Sequence, residues 1–425
     1  MPSTAHRPAG QRPPGPRSPW FGFPLLQAMR RDYLGFLGEQ KRLYGDIVHM
    51  RIVHERSFDL FTPELVREAL VDHADHLVRW ERGIEVFSQT FGQSVLTTEG
   101  ATWQRQRRML MPAFTPKRVA GYAGLMREAA RSVLDGAVPA GQAQAQARVE
   151  TDGLFARVAM EAILRTLFGS SAQADAQAAA HATQVLSEAA LREMFLPFTW
   201  PDWLPLPGKA AKRQALKTLR DLVGRHIRER HAQPQAEAGN DLLSMLLALR
   251  DEETGAGLSE AEVFDQCMVT FQAGHETTST ALLWWSRLMA EHPAAAQRAS
   301  DELSQVLAGR EPTPDDLPAL PWLGATLKEA MRLYPPVAAM MSRRTTQDIR
   351  LGGWHVPRGS VLRITPWLLQ RDARWFSAPE AFRPERFMPD APPPPRSAWL
   401  PFGVGPRVCI GQHFATLEMT LVAAM

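Results

Sequence analysis

The spacing of apolar and polar positions makes this a chain dominated by helix. Helical stretches are expected over Thr62 to Asp72, Gly100 to Met111, Lys117 to Asp135, Thr151 to Phe168, Lys209 to Gln233, Ser259 to Glu291, Pro293 to Leu307 and Trp322 to Leu333. Ser259 with Glu262 three residues on makes a capping box at the head of the longest stretch, and Pro293 stands where a first helical turn tolerates a missing N–H. Strand signals are fewer. The segment Gly45 to Leu60 sets β-branched and aromatic residues between turn signals and predicts a short strand pair, while RLGGWHVPRGSVLRI at 350–364 predicts a β-hairpin. From there to Leu400 prolines punctuate a coil. The Ala/Gln-rich stretches at 137–148 and 172–183 read as helix ends and loops, and PDWLPLPG at 201–208 as a surface connector between two helices. Residues 1–19 are rich in Pro, Arg and Gly and read as a flexible, solvated arm.

Composition narrows the class. With 45% apolar and 22% charged residues over 425 positions, the chain is an ordinary globular protein with ample length to bury a core. That length suits two or three domains or one large helical domain. Two cysteines, Cys267 and Cys409, exclude a disulfide scaffold and a four-cysteine zinc cluster, and point to a reducing cytoplasm. The net charge is +3, yet Arg7, Arg12, Arg17, Arg30 and Arg31 put five positive charges in the first 31 residues with no acid, so the remainder nets −2. The body is therefore no nucleic-acid surface. No run of about 18 apolar residues appears, so no membrane span is expected.

The sharpest chemical signal is Phe402-Gly403-Val404-Gly405-Pro406-Arg407-Val408-Cys409-Ile410-Gly411. Its glycines open backbone conformations closed to other residues, so a tight loop can present Cys409 and then enter a helix. Free N–H groups and the positive dipole end at such a helix start favour an anionic sulfur. Taken alone, a single cysteine in a glycine-rich turn is most often just a buried thiol. Phe402, Gly405, Arg407, Cys409 and Gly411 together resemble the cysteine signature of the cytochrome P450 superfamily, the haem-thiolate monooxygenases.

Further motifs follow in the order that this resemblance requires. Glu329 and Arg332 form a Glu-x-x-Arg pair on one helix face, and Pro384-Glu385-Arg386-Phe387 supplies the arginine that joins it in the family. The implied role is structural, locking the cysteine loop in place; removing one member would strand a buried charge at roughly 3 to 5 kcal/mol. Ala273-Gly274-His275-Glu276-Thr277-Thr278 resembles the family's oxygen-side segment. The resemblance implies that Glu276 and Thr277 relay protons, that Ala273 and Gly274 leave room for a flat macrocycle and dioxygen, and that His275 has no role. A threonine here can also bond the carbonyl four residues back, that of Ala273. For the haem carboxylates the resemblance points to Trp103 and Arg107, four apart on one helix face, and to Arg343 and Arg407, with Arg344 an alternative to Arg343.

The resemblance thus implies a mainly α fold with a small β region, a helical triangular prism in one domain over residues 20–425. Haem b would lie between the long central helix and the cysteine-loop helix, held by Phe402, Gly403 and Gly411 as well, with Cys409 as the iron ligand. The implied activity inserts one oxygen atom from O2 into a lipophilic molecule such as a fatty acid or terpenoid. A separate ferredoxin or flavodoxin with its reductase would feed the electrons. The substrate wall is expected from Trp80 to Leu96, around Phe195 to Trp203, and from Val337 to Met341. Arg105, Arg108, Lys117 and Arg118 could offer a basic patch for an acidic electron carrier, but a solvated helix face is the better reading of them. Only 16 residues follow Cys409, so the terminal β region of the family is expected to be missing, with weakened stability. A haem sensor or carrier would need Cys409 but not Glu276 and Thr277, and an inactive shortened member would keep the motifs without turnover.

Overall fold

The computed structural model describes residues 12–137, 149–169, 173–196, 198–232, 241–340 and 342–425. In chain order the helices and strands are α1 (Phe23–Arg31), α2 (Tyr33–Tyr44), β1 (Ile47–Ile52), β2 (Glu55–Leu60), α3 (Pro63–Arg67), β3 (Leu77–Arg79), α4 (Glu81–Phe91), α5 (Gly100–Leu110), α6 (Pro116–Ala120), α7 (Ala123–Ala137) and α8 (Thr151–Phe168). They continue with α9 (Gln173–Met194), α10 (Lys209–Ala232), α11 (Leu242–Ala248), α12 (Glu260–Glu291), α13 (Pro293–Leu307), α14 (Pro321–Leu333), β4 (Arg343–Thr345), β5 (Ile349–Leu351), β6 (Trp354–Val356), β7 (Val361–Ile364), α15 (Pro366–Leu369) and α16 (Gln412–Ala424). The protein is mainly helical with a small sheet region, as the sequence indicates. It forms two compact units: the chain up to Ile84 with Glu329–Arg386 and Asp390–Cys409, and Glu85–Lys328 with Phe387–Pro389 and Ile410–Met425.

The first unit carries a five-stranded sheet in the order β1-β2-β7-β4-β3. All neighbours are antiparallel except β2 and β7, which run parallel with Asp59 opposite Arg363. That register places a buried ion pair across the sheet, with Arg363 donating to Asp59 at 2.6 and 2.8 Å. Strand β1 buries both faces: Ile47 joins the core of Phe58, Leu60, Leu65, Leu362 and Ile364, while Val48 and Met50 pack with Leu37 and Phe61. The predicted hairpin is half right. Strands β5 and β6 pair antiparallel, but β7 leaves them for the larger sheet, because Pro357 and the left-handed Gly359 turn the chain away. Of the stretch read as a flexible arm, residues 1–11 lie outside the described residues. Residues 12–18 run beside β1, with Pro13 buried and His49 N–H donating to the Pro14 carbonyl at 3.0 Å.

The second unit is built around α8, whose residues are buried nearly all round, from Leu154 through Val158, Met160 and Ile163 to Phe168. A helix apolar on every face belongs at the centre of a helical layer, and α8 packs against α7, α9, α11 and α12. The capping box expected at Ser259 and Glu262 opens α12 with both reciprocal bonds present. Two expectations need correction. The 172–183 stretch is no loop: its described residues belong to α9, which buries Ala176, Ala179, Ala182, Leu186 and Ala189 at helical spacing. The expected helix over 117–135 breaks into α6 and α7, since Gly121 is a weak helix former and Tyr122 turns its ring into the core beside Phe414. Helices α1, α2, α4 and α11 went unpredicted. The other Ala/Gln stretch falls, from 138 to 148, outside the described residues. The 201–208 connector does join α9 to α10; Lys209 and Lys212 pin it by reaching both Glu193 and Asp202.

Candidate active site

The cysteine loop folds back on itself. The Cys409 N–H donates to the Phe402 carbonyl at 2.9 Å and the Val408 N–H to the Gly405 carbonyl at 3.1 Å. Gly403 and Gly405 both adopt positive φ, at 77° and 81°. At 405 space adds to conformation, because a Cβ would lie 2.2 Å from the Leu70 carbonyl oxygen. The loop therefore accepts only glycine there, and its bonds hold Cys409 exposed, two residues before Gly411, the N-cap of α16. The other thiol, Cys267, is fully buried in the helical core, and burial pushes its pKa up, which suits an inert packing residue.

The expected ion cluster is present: Glu329 and Arg332 are fully buried and Arg386 half-buried. Arg332 donates to the Glu329 carboxylate at 2.7 and 2.8 Å, Arg386 Nε donates to it at 3.3 Å, and the Arg383 N–H at 2.8 Å. Arg332 also donates to the carbonyls of Gln370, Pro379 and Ala381. Gln370 is a residue that the sequence reading missed. Its amide group donates to the carbonyls of Met331 and Arg332 at 3.1 and 3.0 Å, while its oxygen accepts the Leu400 N–H at 2.7 Å. One fully buried side chain thus ties the ion cluster to the backbone two residues before Phe402. Those partners lie 30 and more positions away, so no local pattern announces them.

On α12 the oxygen-side segment is laid out by burial. Phe271, Gln272, His275 and Thr278 are buried, whereas Ala273 and Glu276 are exposed and Gly274 and Thr277 half-buried. Thr277 donates to the Ala273 carbonyl at 2.9 Å, as its spacing suggested. The Glu276 carboxylate accepts from Ser187 of α9 at 2.5 Å. Glu276 and Thr277 are therefore held by separate partners. Gly274 also has a packing role: a Cβ there would lie 2.9 Å from Ile163 Cδ1, so the glycine lets α12 approach α8 closely. His275 is buried, and its Nε2 hydrogen-bonds the Ala156 carbonyl at 3.1 Å. Burial holds its pKa down to about 4, so the ring is neutral and Nε2 carries the proton. The turn before α5 is fastened to α12 as well, with the Gln93 N–H donating to Asp265 at 2.7 Å and the Val95 N–H to Gln266 at 3.1 Å.

The cations expected around the haem carboxylates divide by environment. Arg344 is taken up by Glu55, Glu81 and the Gly359 carbonyl. Arg343, one residue earlier on β4, faces the other way, is buried, and stands opposite the buried Arg79 of β3. Two like charges at directly opposite positions of a sheet face repel each other. Arg79 was not foreseen. Burial lowers the Arg407 guanidinium to about 10, a cost that a carboxylate beside it would offset. Arg107 lies over the Trp103 ring at 6.0 Å on α5. Within the first unit, Arg343, Arg407 and the exposed, backbone-anchored Cys409 have the chemistry to hold a thiolate-ligated group that bears carboxylates. Arg343, Phe402, Gly403, Arg407 and Cys409 belong to the first unit; Trp103, Arg107, Ala273, Gly274, Glu276, Thr277 and Gly411 belong to the second.

The basic patch is largely neutralised, since Arg105 pairs with Glu262 and Arg108 with Asp251 and Glu253. Of the expected substrate wall, Phe198, Trp200 and Trp203 are exposed, Trp80 donates to Glu55, and Met341 lies outside the described residues.

A mainly helical protein with this cysteine loop and this ion cluster is a haem-thiolate oxidoreductase. The family profile of Cytochrome P450 matches residues 13–425. The chain is 32% identical to the cyclooctat-9-en-7-ol 5-monooxygenase of Streptomyces melanosporofaciens, over 96% of this chain and 89% of that protein. It is 34% identical to the cyclooctatin synthase of the same organism, over 96% and 86%, and 32% identical to the pentalenene oxygenase of Streptomyces avermitilis, over 94% and 86%. The chain belongs to the cytochrome P450 family and is a monooxygenase of that family, whose members bind haem b through a cysteine thiolate. No helix among the described residues is long and apolar enough to cross a membrane.

Proposed function

We propose that this chain inserts one oxygen atom from O2 into a terpenoid or similarly lipophilic small molecule, with electrons from a separate ferredoxin or flavodoxin and its reductase. The reading rests above all on the glycine-built loop that leaves Cys409 exposed, with its N–H bonded to the Phe402 carbonyl at 2.9 Å. The names of the Streptomyces relatives favour a terpenoid. Bound haem supplies oxygen activation, to which a thiolate ligand contributes by favouring O–O cleavage.

The chain's own residues do the rest. Cys409 is the iron ligand, and the loop of Phe402, Gly403 and Gly411 keeps its backbone in place. Trp103, Arg107, Arg343 and Arg407 hold the two carboxylates, and Arg79 adds charge beside Arg343. Ala273, small and exposed on α12, leaves space, while Gly274 lets that helix sit close to α8. The Glu276 carboxylate accepts a proton from the solvent side and Thr277 Oγ1 hands one on, which requires Thr277 to turn from the Ala273 carbonyl.

The decisive experiment is a reduced, carbon-monoxide-treated absorption spectrum of the purified chain. A strongly red-shifted Soret band is expected, and Cys409→Ala should lose it; a parent chain without that band is no thiolate-ligated enzyme. Incubation with pentalenene and with cyclooctat-9-en-7-ol, using a surrogate ferredoxin and its reductase, then tests the substrate class.

A further inference from the structure

The Glu276 carboxylate does not stand alone on α12. Ser187, on the neighbouring α9, donates its hydroxyl to Glu276 Oε2 at 2.5 Å, and Gln272, one turn before Glu276, donates its amide N–H to Ser187 Oγ at 3.4 Å. All three belong to the helical unit. The polarity of this chain of bonds is fixed by counting protons. A serine hydroxyl has one hydrogen, and an ionised carboxylate can only accept. With Gln272 donating into the hydroxyl oxygen, that hydrogen is left for Glu276. The reversed amide would place two acceptors against one hydrogen and leave one of them unmet.

We propose that Ser187 is a positioning residue for Glu276, with Gln272 orienting Ser187 in turn, so that α9 sets the direction from which the acid exchanges its proton. This rests on the assignment of Glu276 as the proton-handling acid. A hydroxyl bond to a carboxylate is charge-assisted and directional, and it fixes Oε2 while leaving Oε1 to take part in exchange. Gln272 is buried, and its Oε1 has no hydrogen-bond partner among the described residues. A polar acceptor in that position suits an ordered water, which would extend the bonded chain by one member. No sequence pattern could have named Ser187, because it lies 89 positions before Glu276.

Two readouts on the haem-loaded full chain test the proposal. The infrared carboxylate stretch of Glu276, isolated as the difference between the parent and Glu276→Gln, should shift in Ser187→Ala and return in Ser187→Thr, which restores a hydroxyl. An unshifted band in Ser187→Ala overturns the inference. The second readout is hydrogen peroxide formed per NADH consumed, with a surrogate ferredoxin and reductase. Peroxide formation and oxygen insertion each take two electrons and two protons per dioxygen and differ in whether the O–O bond is split, so this ratio follows where the second proton is delivered. Ser187→Ala should raise it severalfold and change the solvent deuterium isotope effect on NADH oxidation. Ser187→Thr should restore both, and Gln272→Met, which keeps the serine, should move both the same way by less. Equal ratios and isotope effects in parent and Ser187→Ala overturn the inference. A parent without the carbon-monoxide band would instead overturn the function proposed above, and the infrared result would still judge the serine.

Discussion

Glu418 puts a carboxyl group into the helical core on α16 with no exposure, and neither of its oxygens has a hydrogen-bond partner among the described residues. Burial raises its pKa well above the ordinary 4.5, so the folded protein keeps this proton at pH values where the unfolded chain has lost it. A raised folded pKa gives stability that is complete below the unfolded value and drains away as pH climbs toward the folded one, by up to about 1.4 kcal/mol per pH unit. Glu418→Gln removes the ionisation. Denaturant melts should show the variant gaining on the parent as pH goes from 5 to 8, and a gap that is constant over that span would contradict the buried-acid account. Position 405 makes a second residue-scale prediction. Gly405→Ala forces a side chain into positive φ, at about 1–3 kcal/mol, and drives it against the Leu70 carbonyl. A lower melting midpoint and a smaller fraction of the red-shifted carbon-monoxide form are expected, and an unaltered spectrum would show that the loop tolerates the methyl group. Cys409 and its glycines were legible because their signal is contiguous. Ser187, Gln370 and Arg79 were not, since each acquires its meaning from partners that the chain brings near only by folding.

Among the elements, α12 was the easiest to foresee, because Ser259 and Glu262 satisfy each other's backbone donors within a single turn. Ser259→Ala should lower stability by about 1 kcal/mol, measured by urea denaturation, without altering the carbon-monoxide spectrum. Helix α9 was hidden for the opposite reason. Its buried stripe is made of alanines, which read as low complexity until α8 and α10 close over them. At Gly274 the cost of a mid-helix glycine was legible, whereas its close approach to the Ile163 side chain was not, since that residue lies on another helix. The proline-punctuated segment after β7 looked like plain coil, yet through Gln370 it joins α14 to the start of the cysteine loop. Gln370→Leu leaves the Leu400 N–H and two carbonyls buried without partners, each worth about 1–3 kcal/mol. The variant should melt lower and show a less red-shifted carbon-monoxide band; a normal band at reduced stability would confine Gln370 to a packing role.

For the molecule as a whole, the fold class was accessible from helical spacing and the family from five short motifs, while the assembly of strands from both ends of the chain into one sheet was not. Strand β2 finds β7 across some three hundred residues, a pairing set by tertiary packing rather than local preference. A ligand that binds only the folded protein stabilises it by mass action, so the haem-loaded chain should melt above its haem-free form. Cys409→Ala should lose much of that gain, and equal midpoints for loaded and stripped protein would argue against tight binding. The Leu70 carbonyl that presses on Gly405 belongs to a π-helical turn, Glu68–Asp72, wider than an ordinary helix by one residue. Deleting one residue there would rewind the turn, withdraw the oxygen and relieve the crowding at 405 while the left-handed dihedral remained. Two sites more than three hundred positions apart are thus locked to each other's history: drift in the turn loosens one of the two constraints on the glycine, and the cysteine's anchorage depends on a segment that contributes no chemistry of its own.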